Sequence, residues 1–185
     1  MFVLLRGSYL MTKFKTALSV SAIAVGLATG AMAEDVIAPG SDGFTKYGEV
    51  EGWTVYVDIE RKSCLIENVD AAANVVQMGL TADHSVGYLG VFSKNEAGVR
   101  KGQKEEVIIS IDGNVYSSKA TGMKGNITKG YSGGYILANN PAFISDLAKK
   151  YTMTVFPETE AAFVVDLTGT YKAMEMGRKC NAEQM

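Results

Sequence analysis

Several residue types are scarce in this chain of 185 residues, and each scarcity excludes something. It has one histidine, one tryptophan, three prolines and two cysteines. A lone imidazole cannot build a zinc centre without three further ligands, and the two cysteines show no C-x-x-C spacing for a thiol redox motif. No metal or cofactor is therefore expected. Basic runs never exceed two residues (Arg61-Lys62, Arg100-Lys101, Lys149-Lys150, Arg178-Lys179). A nucleic-acid partner is disfavoured, because phosphate binding needs concentrated positive charge. After the first 33 residues there is no long apolar run, so no further membrane span is expected and the mature form should be soluble. Internal repeats and βαβ alternation are absent as well.

What is present begins at the amino terminus. From Met11 the chain reads as a short basic segment with Lys13 and Lys15, then an apolar small-residue stretch from Ala17 to Ala28. Ala31 and Ala33 then occupy the small-residue positions of an A-x-A cleavage site. The pattern predicts a secretory signal peptide over residues 1–33, cleaved after Ala33, with Met11 the better start codon. A transmembrane anchor fits less well, since a span needs about 20 strongly apolar residues. The first 33 residues take Arg6, Lys13 and Lys15 of the 18 basic side chains and none of the 20 acidic ones, leaving a formal charge of −5. The expected location is the periplasm or the exterior of a bacterium. In such an oxidising compartment a lone cysteine pair is expected to be bridged, so Cys64 and Cys180 should form a disulfide.

Residues 34–51 read as an extended lead-in, and 52–185 as a single domain. Trp53, Val55 and Val57 alternate with Thr54, Tyr56 and Asp58, a period-two strand pattern. Further strands are expected at Ser63–Glu67, Asn74–Leu80, Gly87–Phe92, Val107–Ile111, Tyr135–Ala138 and Ala161–Leu167. Asp112-Gly113 between two β-prone runs is a strong hairpin signal. Asn95–Glu106 and the glycine-rich Thr121–Gly134 are expected to be loops. One helix should start at Asn140 and Pro141, a good N-cap and first-turn pair, and bury Phe143, Ile144, Leu147, Ala148 and Tyr151 on one face. A second should be capped by Thr170, turn Tyr171 and Met174 inward and end at Gly177. The fold class is thus mainly β (all-β/α+β), a β-sandwich with two short helices near the C-terminus.

Four constellations invite a chemical reading. Gly130-Tyr131-Ser132-Gly133-Gly134 matches the G-x-S-x-G nucleophile pattern, and His84 could in principle serve Ser132. The pattern requires a strand before the serine and a helix after it, whereas a loop precedes Ser132 here and a strand follows. A small periplasmic hydrolase using Ser132 and His84 is therefore the secondary reading. Met174 and Met176 could offer thioethers to copper, but methionines also fill cores. Asp58 with Glu60, and Glu158 with Glu160 beside Pro157, could be paired acids but read as solvated surface. Tyr131 and Tyr135 flank glycines, a combination suited to adaptable contacts. Tyr131, Ser132 and Tyr135 are accordingly the candidate binding residues, with no catalytic residue assigned.

Ile109-Ser-Ile-Asp-Gly113, Ala142-Phe143 with Leu147, and Val164-Val-Asp-Leu-Thr-Gly-Thr-Tyr-Lys-Ala-Met174 resemble the pattern of the invasion-associated locus B proteins. Those are exported proteins of alphaproteobacteria with an early Trp-x-Val strand near a cysteine, which Trp53-Thr-Val55 and Cys64 match loosely. The chain lacks the cysteine pair that family places between the Ile-Asp strand and the helix. The resemblance implies a periplasmic or secreted β-sandwich without known catalytic residues. The expected function is a non-enzymatic binding or interaction protein of the envelope, taking a protein or an envelope component as partner. A purely structural envelope protein is the third reading.

Overall fold

The structure, a computed structural model, describes residues 43–95, 104–124 and 130–185. The signal-peptide and start-codon expectations, half of the 34–51 lead-in and most of the loop expected at 95–106 lie outside the described residues. The described residues form ten strands and two helices, in the order β1 (Phe44–Val50), β2 (Trp53–Asp58), β3 (Ser63–Val69), β4 (Val75–Leu80), β5 (Gly87–Ser93), β6 (Lys104–Ile111), β7 (Asn114–Lys124), β8 (Ser132–Ala138), α1 (Pro141–Lys149), β9 (Thr152–Val155), β10 (Phe163–Asp166) and α2 (Thr170–Gln184). The strands hydrogen-bond in the order β1-β2-β3-β4-β5-β8-β7-β6-β9-β10, and every pairing is antiparallel. The fold is mainly β and sandwich-like, as expected. Its two layers belong to one unbroken ladder, and side chains from both halves meet in one core. Trp53, Val55, Ile66, Met78 and Leu89 from one half join Ile109, Ile111, Met153, Val155 and Val165 from the other. Trp53 is wholly buried, and its indole Nε1 donates to the Thr168 carbonyl at 2.9 Å. That bond ties the second strand to the chain just beyond the tenth.

Two hairpins show how local sequence sets the register. At Asp112-Gly113 both residues have positive φ (44° and 87°), and Ile111 pairs with Asn114; this is the two-residue turn whose twist matches the flanking strands. The Asp112 carboxylate accepts from the amides of Tyr151 and Thr152 at 3.1 and 3.0 Å, so the same turn anchors β9. Glu51-Gly52 repeats the device (φ 48° and 84°) and closes a strand where a lead-in was expected. β1 escaped the period-two reading because its register slips between Lys46 and Gly48, and a bulge of this kind resets the alternation of faces.

α1 follows its expected start. Asn140 caps it, with Oδ1 accepting from the Ala142 amide at 2.9 Å, Pro141 opens the first turn, and Phe143 and Leu147 are buried. The helix stops at Lys149, however, so Tyr151 leaves the helical face and is 71 % exposed. α2 departs further from expectation. Its N-cap is Gly169, in the left-handed region. Thr170 is the first helical residue and donates its hydroxyl back to the Leu167 carbonyl at 2.6 Å. Tyr171 faces outward and the helix runs through Gly177 to Gln184. Gly177 faces Ile66 of β3, where a Cβ would sit 2.6 Å from Ile66 Cδ1, so a larger residue would have to displace the Ile66 side chain.

Carboxylates hold several turns. Asp83 accepts from Thr81 Oγ1 and Ser85 Oγ at 2.6 and 2.8 Å, and these bonds hold its carboxyl down at about 2. Asp146 accepts from Asn114 Nδ2 and Tyr116 OH at 2.6 and 2.7 Å, which with Lys150 nearby lowers its pKa. A depressed carboxyl contributes its stability above the unfolded-chain value and loses it as pH falls through the folded value. The thermal midpoint is therefore expected to decline as pH falls from about 4 towards 2, near the ordinary carboxylate range. Asp146→Asn should flatten that decline without abolishing it, as thermal melts at stepped pH would show.

Candidate functional site

The expected contact residues prove to belong to a second, smaller core. β7 continues to Lys124 and β8 begins at Ser132, so much of the glycine-rich loop is ladder, with Gly122 opposite Gly134 and Met123 opposite Gly133. Tyr131 and Ser132 are 3 % and 5 % exposed. Tyr131 packs with Val75 and Phe92, and Ser132 donates its hydroxyl to the Asn95 carbonyl at 2.9 Å. Tyr135 is partly buried beside them and meets Tyr88 and Phe92 edge to face, at ring-centre distances of 5.3 and 5.0 Å. Its ring covers Gly90, where a Cβ would lie 2.5 Å from Tyr135 Cε1. Tyr135 OH donates to Gln77 Oε1 at 2.9 Å, and Gln77 Nε2 donates to Glu67 Oε2 at 2.6 Å. Burial pushes the Tyr88 phenol up to about 12 and raises Tyr135 as well. The expectation of an adaptable surface around Tyr131, Ser132 and Tyr135 is thereby corrected. Gly90 leaves room for the Tyr135 and Phe92 rings, Gly133 for the Val91 carbonyl and the Phe92 ring, and Gly130 takes a positive φ of 98°.

The hydrolase pair is not brought together. Ser132 pairs with Ser93 at one end of β5, whereas Gly87 at the other end pairs with Ala138. Six strand steps of about 3.4 Å separate those ends by about 20 Å, and His84 lies beyond the far one. His84 Nε2 is within 3.1 Å of the Arg61 carbonyl oxygen. Ser132 also lacks the exposed strand-to-helix turn that the nucleophile pattern requires, since it opens β8. Met174 and Met176, two residues apart on α2, point to different neighbours. Met174 borders a pocket, and Met176 lies against β1 where a Cβ on Gly48 would be 3.1 Å from its sulfur. Asp58 ends β2 and is buried, accepting from the Arg61 amide at 3.0 Å. Glu60 lies in the following turn, so the two do not share a strand face, and Glu158 and Glu160 are exposed in a turn. Among the described residues no group of three or more His, Cys, Asp or Glu side chains could hold a metal ion.

The disulfide Cys64–Cys180 is present, with Cα atoms 6.1 Å apart. It fastens α2 across β3, and Asn181 reinforces it: Oδ1 accepts from the Cys64 amide and Nδ2 donates to the Gly177 carbonyl, both at 2.9 Å. Beside this staple, between the two helices and the ends of β3, β4, β5 and β8, lies a pocket of about 170 Å³. Ile66, Met78, Ile144, Leu147 and Met174 supply apolar walls, while Arg178 and Asn181 stand among the lining residues as its polar groups. The Arg178 guanidinium pairs with Glu175 on the exposed side of α2. This combination of apolar walls with few polar groups is the usual composition of a small-molecule site. Sequence reasoning missed the pocket. Its one available signal was the small residue at Gly177, which sets how closely α2 approaches the sheet.

No family model, no curated protein and no solved structure matches the chain. Among the described residues no helix is long and apolar enough to cross a membrane.

Proposed function

We propose that this chain is an exported, non-enzymatic binding module of the bacterial envelope, and that it holds a small apolar or amphiphilic molecule in the pocket beside the disulfide. The observation that carries the reading is that pocket, with its apolar walls and about 170 Å³ of space. An apolar cavity of about 150 Å³ is enough to stay dry and take up benzene or xenon. The signal-like amino terminus, the cystine and the resemblance to exported invasion-associated locus B proteins all favour an oxidising compartment. A ligand burying about 150 Å² of apolar surface gains about 4 kcal/mol, which corresponds to roughly millimolar affinity. Tighter binding needs a ligand that continues over the rim towards Arg178, so an amphiphile with an anionic head suits the site better than a bare hydrocarbon.

Native mass spectrometry on protein recovered from its own organism without reductant tests this reading. The expected spectrum shows a processed, disulfide-linked chain with an additional small-molecule mass lost on activation. Ile144→Trp, which places an indole in the pocket mouth from the partly exposed face of α1, should remove that mass. It should also weaken uptake of a small apolar probe at least tenfold while moving the thermal midpoint little. A bound mass retained by Ile144→Trp would place the ligand elsewhere.

A further inference from the structure

The pocket and the cystine share one helix, α2. Met174, Gly177, Arg178 and Asn181 of α2 line the pocket, and so does Cys64 of β3. The cystine is itself enclosed, with Cys64 2 % exposed and Cys180 wholly buried. Whatever seats α2 on the sheet therefore holds one wall of the pocket and covers both sulfurs.

α2 is poorly equipped to seat itself. Its buried positions are Thr170, Ala173, Gly177 and Cys180, and side chains this small remove little apolar area from water. Met174 and Met176 are only partly buried against the core. The first turn is tied in nonetheless: Thr170 bonds back to the Leu167 carbonyl, and Lys172 pairs with Glu51. Beyond Gly177 the helix is tied by the cystine, by Asn181 on the Cys64 amide at 2.9 Å and by a hydrogen bond between Tyr47 and Glu183. The cystine is the only covalent tie of the three.

We propose that Cys64–Cys180 is the latch of the pocket: its reduction lets the C-terminal half of α2 lift and the bound amphiphile leave, and a bound amphiphile keeps α2 seated over the sulfurs. This rests on the pocket taking such a ligand, as argued above. The reductant is a dithiol. Its thiolate attacks one sulfur and expels the other cysteine as a thiolate, and its second thiol then resolves the mixed disulfide. Two electrons and two protons pass to the protein, leaving two cysteine thiols and a cyclic, oxidised reductant. The attack needs access to a sulfur, which a seated α2 denies. Lifting one helix end is a local opening and costs less than unfolding the sheet. Because bridge and ligand both favour the seated helix, each strengthens the hold of the other by the same factor.

The test follows reduction of the intact oxidised chain by dithiothreitol with and without octanoate, an eight-carbon carboxylate, and titrates octanoate calorimetrically into the oxidised and reduced forms. With octanoate at ten times its Kd, reduction should slow about tenfold, because the occupied form is withdrawn from attack. Affinity for octanoate should fall at least tenfold on reduction. In dilute urea the reduction rate should stay nearly constant, since a lifted helix end exposes little surface. In Ile144→Trp, octanoate should no longer slow the reaction. Octanoate that binds the oxidised chain without slowing its reduction, equal affinity of the two forms, or protection that persists in Ile144→Trp would each overturn the latch. So would a reduction rate that climbs with urea as steeply as global unfolding does. If the reduced chain unfolds altogether, the rates measured from the oxidised chain still decide. Failure of octanoate to bind the oxidised chain would remove the pocket and the latch together, whereas binding without protection removes the latch alone.

Discussion

Replacing Cys64 and Cys180 together by alanine is expected to lower the unfolding free energy by about 4–5 kcal/mol, the chain-entropy value for a loop of this size. The bridge joins residues 116 positions apart, so it restrains almost all of the folded part of the chain. Domains of this size are stable by about 5–15 kcal/mol in total, so about a quarter or more of the stability rests on one bond. The loss should be uneven. α2 meets the sheet through Gly177 against Ile66, through Asn181 on the Cys64 amide and through the cystine itself. Without the cystine, α2 should be the first element to open, taking one wall of the apolar pocket with it. Urea unfolding of the oxidised, reduced and double-alanine forms measures the total, and amide exchange along α2 measures the local part. Midpoints that agree within error across the three forms would show that the bridge contributes nothing.

Tyr135→Ala carries the next largest expectation, a loss of about 3 kcal/mol, in the range for removing a large aromatic from a packed site. The ring spans Tyr88, Phe92 and the bare backbone of Gly90, and none of these can collapse to fill the space. Tyr135→Phe keeps the ring and removes only the hydroxyl that donates to Gln77. Gln77 is wholly buried, and an acceptor left there without its donor costs about 1–3 kcal/mol. The pair of variants separates packing from hydrogen bonding. A tyrosine serving only as a surface contact would leave the melting curve in place in both, so unchanged midpoints would contradict the second core described above.

The parts of the fold legible in the sequence were those governed by local chemistry. Asp112-Gly113 specifies its turn by the backbone angles it tolerates, and Asn140-Pro141 specifies a helix start by cap and ring. The cystine was legible because the compartment implied by the amino terminus and a lone cysteine pair agree. What remained hidden depends on contacts between distant segments. β1 was masked by its bulge. The four residues of β9 are too short to show a period, and they exist because β6 and β10 pair with them on either side. Gly177 reads locally as a helix stop but is required by the closeness of Ile66. Gly133 reads as loop, whereas it lies in β8, where a Cβ would meet the Val91 carbonyl oxygen and the Phe92 ring. The candidate sites followed the same division. Ser132 and His84 satisfied a linear pattern that the strand register separates. The pocket between α1 and α2 belongs to six elements and has no linear signature at all.

The most direct test of the central claim, an apolar binding pocket beside the cystine, is a methyl-resolved NMR titration of the oxidised protein with benzene. The account predicts saturable shifts confined to Ile66, Met78, Ile144, Leu147 and Met174, abolished in Ile144→Trp. Shifts scattered over the surface, or none at benzene's solubility limit, would contradict it.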